Sequence, residues 1–217
     1  MNRDSIIKKV EEFAKSATTE FDSGHDWWHL ERVRKLALYI QNLENQGDRF
    51  IIELAALLHD VNDSKFRKPG NSEAGTIIND LLSDVGVERK IIEEVNKINK
   101  YISFSTSESP DNKSFEFMIV QDADRLDAIG AIGIARAFNY GGFKNNAIFV
   151  PELDKTQNRP STILHFYEKL LLLKDMMNTQ TASLLALERH RVMKEFLQNF
   201  YNEWYFPAKP DHSINLS

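Results

Sequence analysis

The 217-residue chain holds 32 acidic and 27 basic side chains and no cysteine. Its formal net charge of −5 repels nucleic acid unless the bases cluster, and the densest basic group, Lys65, Arg67 and Lys68, suits a small phosphorylated ligand better than a duplex. Without cysteine, disulfide frameworks, thiolate zinc sites and cysteine nucleophiles are excluded, and a reducing, cytoplasmic setting is expected.

At the N-terminus acids come early and no apolar core of signal-peptide length follows, and no later stretch approaches a membrane span. Ile6, Ile7, Val10, Phe13 and Ala14 recur at helical spacing, as do Leu30, Val33, Ala37 and Ile40, and then Ile51, Leu54, Ala55 and Leu58. Trp27 and Trp28 are expected to pack across these first helices. Further helices are predicted over about residues 73–83, 88–100, 115–137, 163–177 and 181–204, with Ser72 as an N-cap and Gly47 and Gly86 as stops. Strand-like alternation is nearly absent, so the expected fold class is all-α, in one domain over residues 1–217 that buries roughly 70% of its unfolded surface. Two connections are long. Residues 103–113 are polar and read as a solvated link; residues 138–160, with Gly141-Gly142, Pro151 and Pro160, exceed the ordinary loop length and read as a rim or lid over a site.

The chemistry is concentrated where the apolar run 53–58 ends in His59-Asp60. Burying Asp60 beside Leu57-Leu58 without a partner costs several kcal/mol or forces its protonation, and a shared divalent cation removes that cost. His29 offers a second imidazole from upstream. Downstream, Asp124 and Asp127 share one helical face while Asp122 points elsewhere, and only one of the two sharing a face needs to be a ligand. His25 and His29 have the spacing of a zinc protease helix, but the catalytic Glu is missing between them. His25, His165, His190 and His212, each taken singly, read as packing residues. The small-residue series Ala123, Ala128, Gly130, Ala131, Gly133 and Ala135 allows close helix approach or leaves room for a ligand. Asp63, three residues beyond Asp60, would lie over the same face on a continuing helix, placed to act as acid/base on a water; its plain alternative is a surface acid. Lys65 could neutralise a triphosphate tail, or be an ordinary loop lysine.

The order His, His-Asp, Asp resembles the signature of the HD-domain metal-dependent phosphohydrolases. Residues 24–33, 55–63, 121–137 and 165–172 are similar to the small bacterial nucleotide pyrophosphohydrolases of the YpgQ type. The resemblance implies an HD-type helical bundle with His29, His59, Asp60 and Asp124 as metal ligands. Asp124 is selected because the distal acid of the family follows a small residue, here Ala123, which leaves Asp127 to support a ligand or to pair with Arg32 or Arg125. It points to Mn²⁺, and the mixed nitrogen and oxygen donors also suit Fe²⁺, Co²⁺ or Ni²⁺, with Mg²⁺ possible. His165 and Lys169 match a His-Phe-Tyr-Glu-Lys pattern of the subgroup and are implied substrate contacts. Relatives that hydrolyse the alarmone ppGpp carry Glu then Asp where this chain has Asp63 and Ser64, a departure that counts against that substrate; Gly-Tyr-Pro, the mark of cyclic dinucleotide phosphodiesterases, is absent. The implied activity is cleavage of a nucleoside triphosphate to the monophosphate and pyrophosphate. The alternatives are a nucleoside 5′-monophosphatase and a non-catalytic nucleotide-binding regulator. Oligomeric state, base and sugar are not legible.

Overall fold

A computed structural model describes residues 2–18, 26–61, 74–102, 112–151 and 160–206. Among these the chain is all-α, as expected, and the sheet-like feature is one isolated bridge between Ala147 and Ser161. No described helix is long and apolar enough to cross a membrane. The expectations for Asp63, Lys65, Arg67, Lys68, Ser72, His25 and His212 fall outside the described residues, as do residues 103–111 and 152–159 of the two long connections.

The helices are α1 (Arg3–Ala17), α2 (Trp27–Glu44), α3 (Arg49–Leu58), α4 (Ala74–Asp84), α5 (Arg89–Tyr101), α6 (Phe115–Asp127), α7 (Gly130–Phe143), α8 (Thr162–Glu168), a 3₁₀ helix at Leu170–Met176, and α9 (Gln180–Trp204). They fall into two compact units, Met1–Asp127 with Asn178–Ala182, and Ala128–Met177 with Ser183–Ser217.

In the first unit, short polar side chains start the helices. Asn2, Asp26 and Asp48 each accept a backbone N–H of the first turn, at 2.8, 2.9 and 2.8 Å. Asn45, in the left-handed region at φ 51°, caps α2. Gly86, at φ 82°, ends α4 with Val87 N–H reaching back to the Leu82 carbonyl at 2.9 Å. Helix α3 packs against α1, α2, α5 and α6. That explains why its residues 54–58 are apolar and buried all round, without the polar stripe of a surface helix. Arg34 on α2 ties Glu11 of α1, at 3.0 Å, to Glu53 of α3, at 2.6 Å.

The second unit is organised by aromatic packing. Phe166 of α8 lies 6.1 Å from Phe138 of α7 and 5.8 Å from Phe196 of α9, and Phe149 sits edge-on to Phe200 and Trp204.

Four expectations need correction. The helix over 115–137 is two helices: Ile129 is extended, and Gly130 takes φ 78°, a conformation no helix interior contains. Two members of the small-residue series are thereby explained by backbone packing, since a Cβ at Gly130 would meet Arg189 Cβ and Cγ at 3.0 Å and one at Gly133 would collide with the Ala128 carbonyl. The helix over 163–177 breaks at Lys169, φ −138°, and continues as a 3₁₀ helix whose three-residue repeat buries Leu170 and Leu173 together. The connection 138–160 begins later than expected, because α7 runs to Phe143. Gly141 is buried in the last turn of α7, where a side chain would strike Thr162 Oγ1, and Ala147 and Ile148 accept the Thr162 and Ile163 N–H groups. Lastly, Trp28 does not pack into the fold: it is 64% exposed, because the buried face of α2 is the His29, Leu30, Val33, Ala37 and Ile40 stripe. Trp27 carries the Lys15 ammonium 4.6 Å from its ring centre.

Candidate metal centre

Three helices of the first unit converge on one point. α2 supplies His29 from its first turn, the turn after α3 supplies His59 and Asp60, and the last turn of α6 supplies Asp124 and Asp127. One ligand atom each from His29, His59 and Asp124 lies within 4.8 Å of the others. The two imidazoles face each other through their Nε2 atoms at 3.2 Å. Asp60 Oδ2 stands 3.3 Å from His29 Nε2 and 3.8 Å from His59 Nε2, and Asp124 Oδ1 stands 3.6 and 3.8 Å from the same two atoms. Both rings are buried.

The proton positions follow from the acceptors. His59 Nδ1 is 2.9 Å from the Ala56 carbonyl, which can only accept, so Nδ1 is the donor and, in the neutral ring, Nε2 carries the lone pair. His29 Nδ1 is 2.8 Å from Asp127 Oδ2. That carboxylate also takes Arg32 Nε at 2.7 Å and Nη2 at 3.0 Å, so it too is an acceptor and His29 Nε2 is likewise left with its lone pair. Two imidazole nitrogens and two carboxylates thus face one another, a mixed nitrogen and oxygen donor set that a shared cation would join. Atoms bound at about 2.0–2.2 Å to a first-row ion stand roughly 2.8–3.6 Å apart, close to the separations found. The donor set therefore fits a divalent ion.

The remaining aspartate of α6 does something different. Asp122 is fully buried and accepts from the backbone N–H groups of Asn178 and Thr179, at 2.9 and 2.8 Å, from Asn178 Nδ2 at 2.8 Å and from Thr179 Oγ1 at 2.9 Å. Burial pushes its carboxyl above the ordinary range, and these four donors pull the other way. The sequence reading left this role out. The signal was present in Asn178-Thr179 just ahead of a long helical stretch, with Thr179 Oγ1 accepting the Ala182 N–H at 3.3 Å as a helix cap.

Of the other expected site residues, Asp63 and Lys65 lie outside the described residues. Among the described residues α3 stops at Leu58, and Val61 N–H closes a turn on the Leu58 carbonyl at 3.1 Å. His165 and Lys169 belong to the second unit. Both are half-buried, and Lys169 has left the helical conformation, so they do not form the i, i+4 pair of one helix. Burial, and then the Lys169 charge, holds the His165 ring below its ordinary pKa.

The chain belongs to the HD-domain family, whose model, described as "HD domain", matches residues 27–129. YpgQ of Bacillus subtilis is 40% identical to it over 193 residues, 88% of this chain and 90% of that protein. The crystal structure of B. subtilis YpgQ in complex with ADP matches at a TM-score of 0.77 and 37% identity, covering 94% of this chain and 97% of that one. A Lactobacillus plantarum protein of known structure matches at a TM-score of 0.80 and 34% identity, covering 94% and 98%. An HD-superfamily hydrolase from Bacillus thuringiensis matches at 0.74 and 41%, with the same coverage of 94% and 98%.

Proposed function

We propose that this chain, acting as one functional domain over residues 1–217, is a divalent-metal-dependent phosphohydrolase that cleaves a nucleoside triphosphate to the monophosphate and pyrophosphate. The observation that carries the reading is the cluster of His29, His59 and Asp124 ligand atoms, with the Asp60 carboxylate beside the same two imidazoles. Two relatives support its outer frame, one being an HD-superfamily hydrolase and the other having been crystallised with ADP.

His29, His59, Asp60 and Asp124 would hold the ion, with Mn²⁺ the first choice and Fe²⁺, Co²⁺, Ni²⁺ or Mg²⁺ the alternatives for such a donor set. A bound ion supplies Lewis acidity, which polarises a phosphoryl oxygen and acidifies water. Two neutral imidazoles and two carboxylates balance a dication, so the chain adds no excess negative charge to repel a polyphosphate. Asp63 is assigned the proton of the attacking water, and Lys65 the outer phosphates; both assignments rest on the sequence. His165 and Lys169 are assigned further substrate contacts. With its pKa held down, His165 serves as a neutral hydrogen-bonding ring at neutral pH.

The test is a nucleotide panel incubated with Mn²⁺-loaded protein in ¹⁸O-labelled water. Pyrophosphate release with label in the nucleoside monophosphate is expected, and Lys65→Ala should slow triphosphate turnover far more than that of a monophosphate analogue. Orthophosphate as the sole inorganic product would reassign the chain as a 5′-monophosphatase. Nucleotide binding without turnover would make it a regulator.

A further inference from the structure

Among the described residues, the Asp127 carboxylate meets three donor atoms. His29 Nδ1 is 2.8 Å from Oδ2, Arg32 Nη2 is 3.0 Å from the same oxygen, and Arg32 Nε is 2.7 Å from Oδ1. Asp127 and His29 are buried, and Arg32 is one helical turn beyond His29 on the same face of α2. The carboxylate thus cannot turn away from the ring without giving up a bidentate guanidinium.

On the other side, His29 Nε2 looks at His59 Nε2 from 3.2 Å, and the His59 lone pair is fixed there by the bond from its Nδ1 to Ala56. A neutral His29 ring has two tautomers. With hydrogen on Nε2 it would donate to His59, and its own lone pair would face the Asp127 anion. With hydrogen on Nδ1 it donates to Asp127 and leaves the lone pair on Nε2. Left to the two histidines alone, the first tautomer wins and both potential ligand atoms are consumed in one hydrogen bond.

We infer that Asp127, clamped by Arg32, is a positioning residue that selects the Nδ1–H tautomer of His29 and so keeps the Nε2 lone pair turned on the cation site. The inference rests on the metal reading proposed above and adds to it the reason the two imidazoles do not close on each other. Outer carboxylates that fix histidine ligands in this way change metal affinity about 10–100-fold.

The tautomer is read in ¹⁵N-labelled, metal-free protein by long-range ¹H–¹⁵N correlation at pH 9, where imidazoles are ordinarily neutral. His29 is expected as Nδ1–H in the wild type and as Nε2–H in Asp127→Ala, with His59 remaining Nδ1–H in both. Asp127→Asn is the second variant, because its amide cannot accept from Arg32 at both positions and from His29 as well. The Mn²⁺ affinity of the variants, from the free-ion electron paramagnetic resonance signal, should fall about 10–100-fold. A wild-type His29 already protonated on Nε2 overturns the inference, as does an Nδ1–H ring that persists in whichever variant folds. A tautomer change in a protein whose wild type binds no Mn²⁺ would uphold the positioning role and overturn the metal reading alone.

Discussion

Two imidazole nitrogens 3.2 Å apart, each with its opposite nitrogen committed as a donor, are held together against their own repulsion by three helices that pack elsewhere. Truncating one ligand should therefore remove the ion without dismantling the fold. His59→Ala and Asp60→Ala are expected to lose both Mn²⁺ binding and hydrolysis, measured by metal titration beside a product assay; near-wild-type activity in either would displace that residue from the site. Asp124→Ala should behave in the same way, and an Asp124 variant that keeps its metal would mean that another acid holds it. Asp63 is expected to separate binding from chemistry. Asp63→Asn should keep Mn²⁺ and lose about two to four orders of magnitude in turnover, the usual worth of a general acid/base, and unchanged turnover would return Asp63 to the surface.

At the scale of elements, α6 carries three aspartates with three different tasks: Asp122 caps the chain at 178–179, Asp124 faces the His29 and His59 rings and Asp127 braces His29. Removing Asp122 strands buried donors, so Asp122→Ala should cost about 1–3 kcal/mol in urea unfolding, more than Asp122→Asn, which keeps one acceptor. Equal stability of the alanine variant would show that water replaces the carboxylate. The helices themselves were legible because the chain repeats apolar residues at three and four, and α1, α2 and α3 fall on the stripes that were read. So was the meeting of His29 with His59-Asp60, since an ionisable pair closing an apolar run has few ways to be buried. The break after Asp127 was hidden, because Gly130 and Ala131 continue a small-residue helical pattern that does not reveal the positive φ Gly130 takes or the Arg189 side chain that fills the space of a Cβ there. Lys169 was hidden for a similar reason: Leu170 and Leu173 satisfy a helix and a 3₁₀ helix equally well. Asp122 pairs with groups more than fifty residues away, which local periodicity does not encode.

For the molecule as a whole, acid sensitivity should lie in the second unit. Burial holds both His165 and His190 below the ordinary imidazole value of 6.5. An unfolded chain takes up those protons first as the pH falls. The stability carried by the neutral rings is thus present above about pH 6.5 and is lost as the pH drops toward the folded values. Metal-free protein should melt at a lower temperature at pH 5.5 than at pH 7.5, and a His165→Gln, His190→Gln double variant should show a shallower drop; an identical drop would assign the sensitivity to other groups. The return of the chain to cap Asp122 bears on a different stage in the life of the molecule. The acid is made before its donors, which follow 56 and 57 residues later, an interval on the order of 3–11 s at roughly 5–20 residues per second of synthesis. A nascent chain consequently carries His29, His59, Asp60 and Asp124 while the Asp122 carboxylate still lacks these donors, and α7 and α8 are translated in full before residues 178–179 supply them.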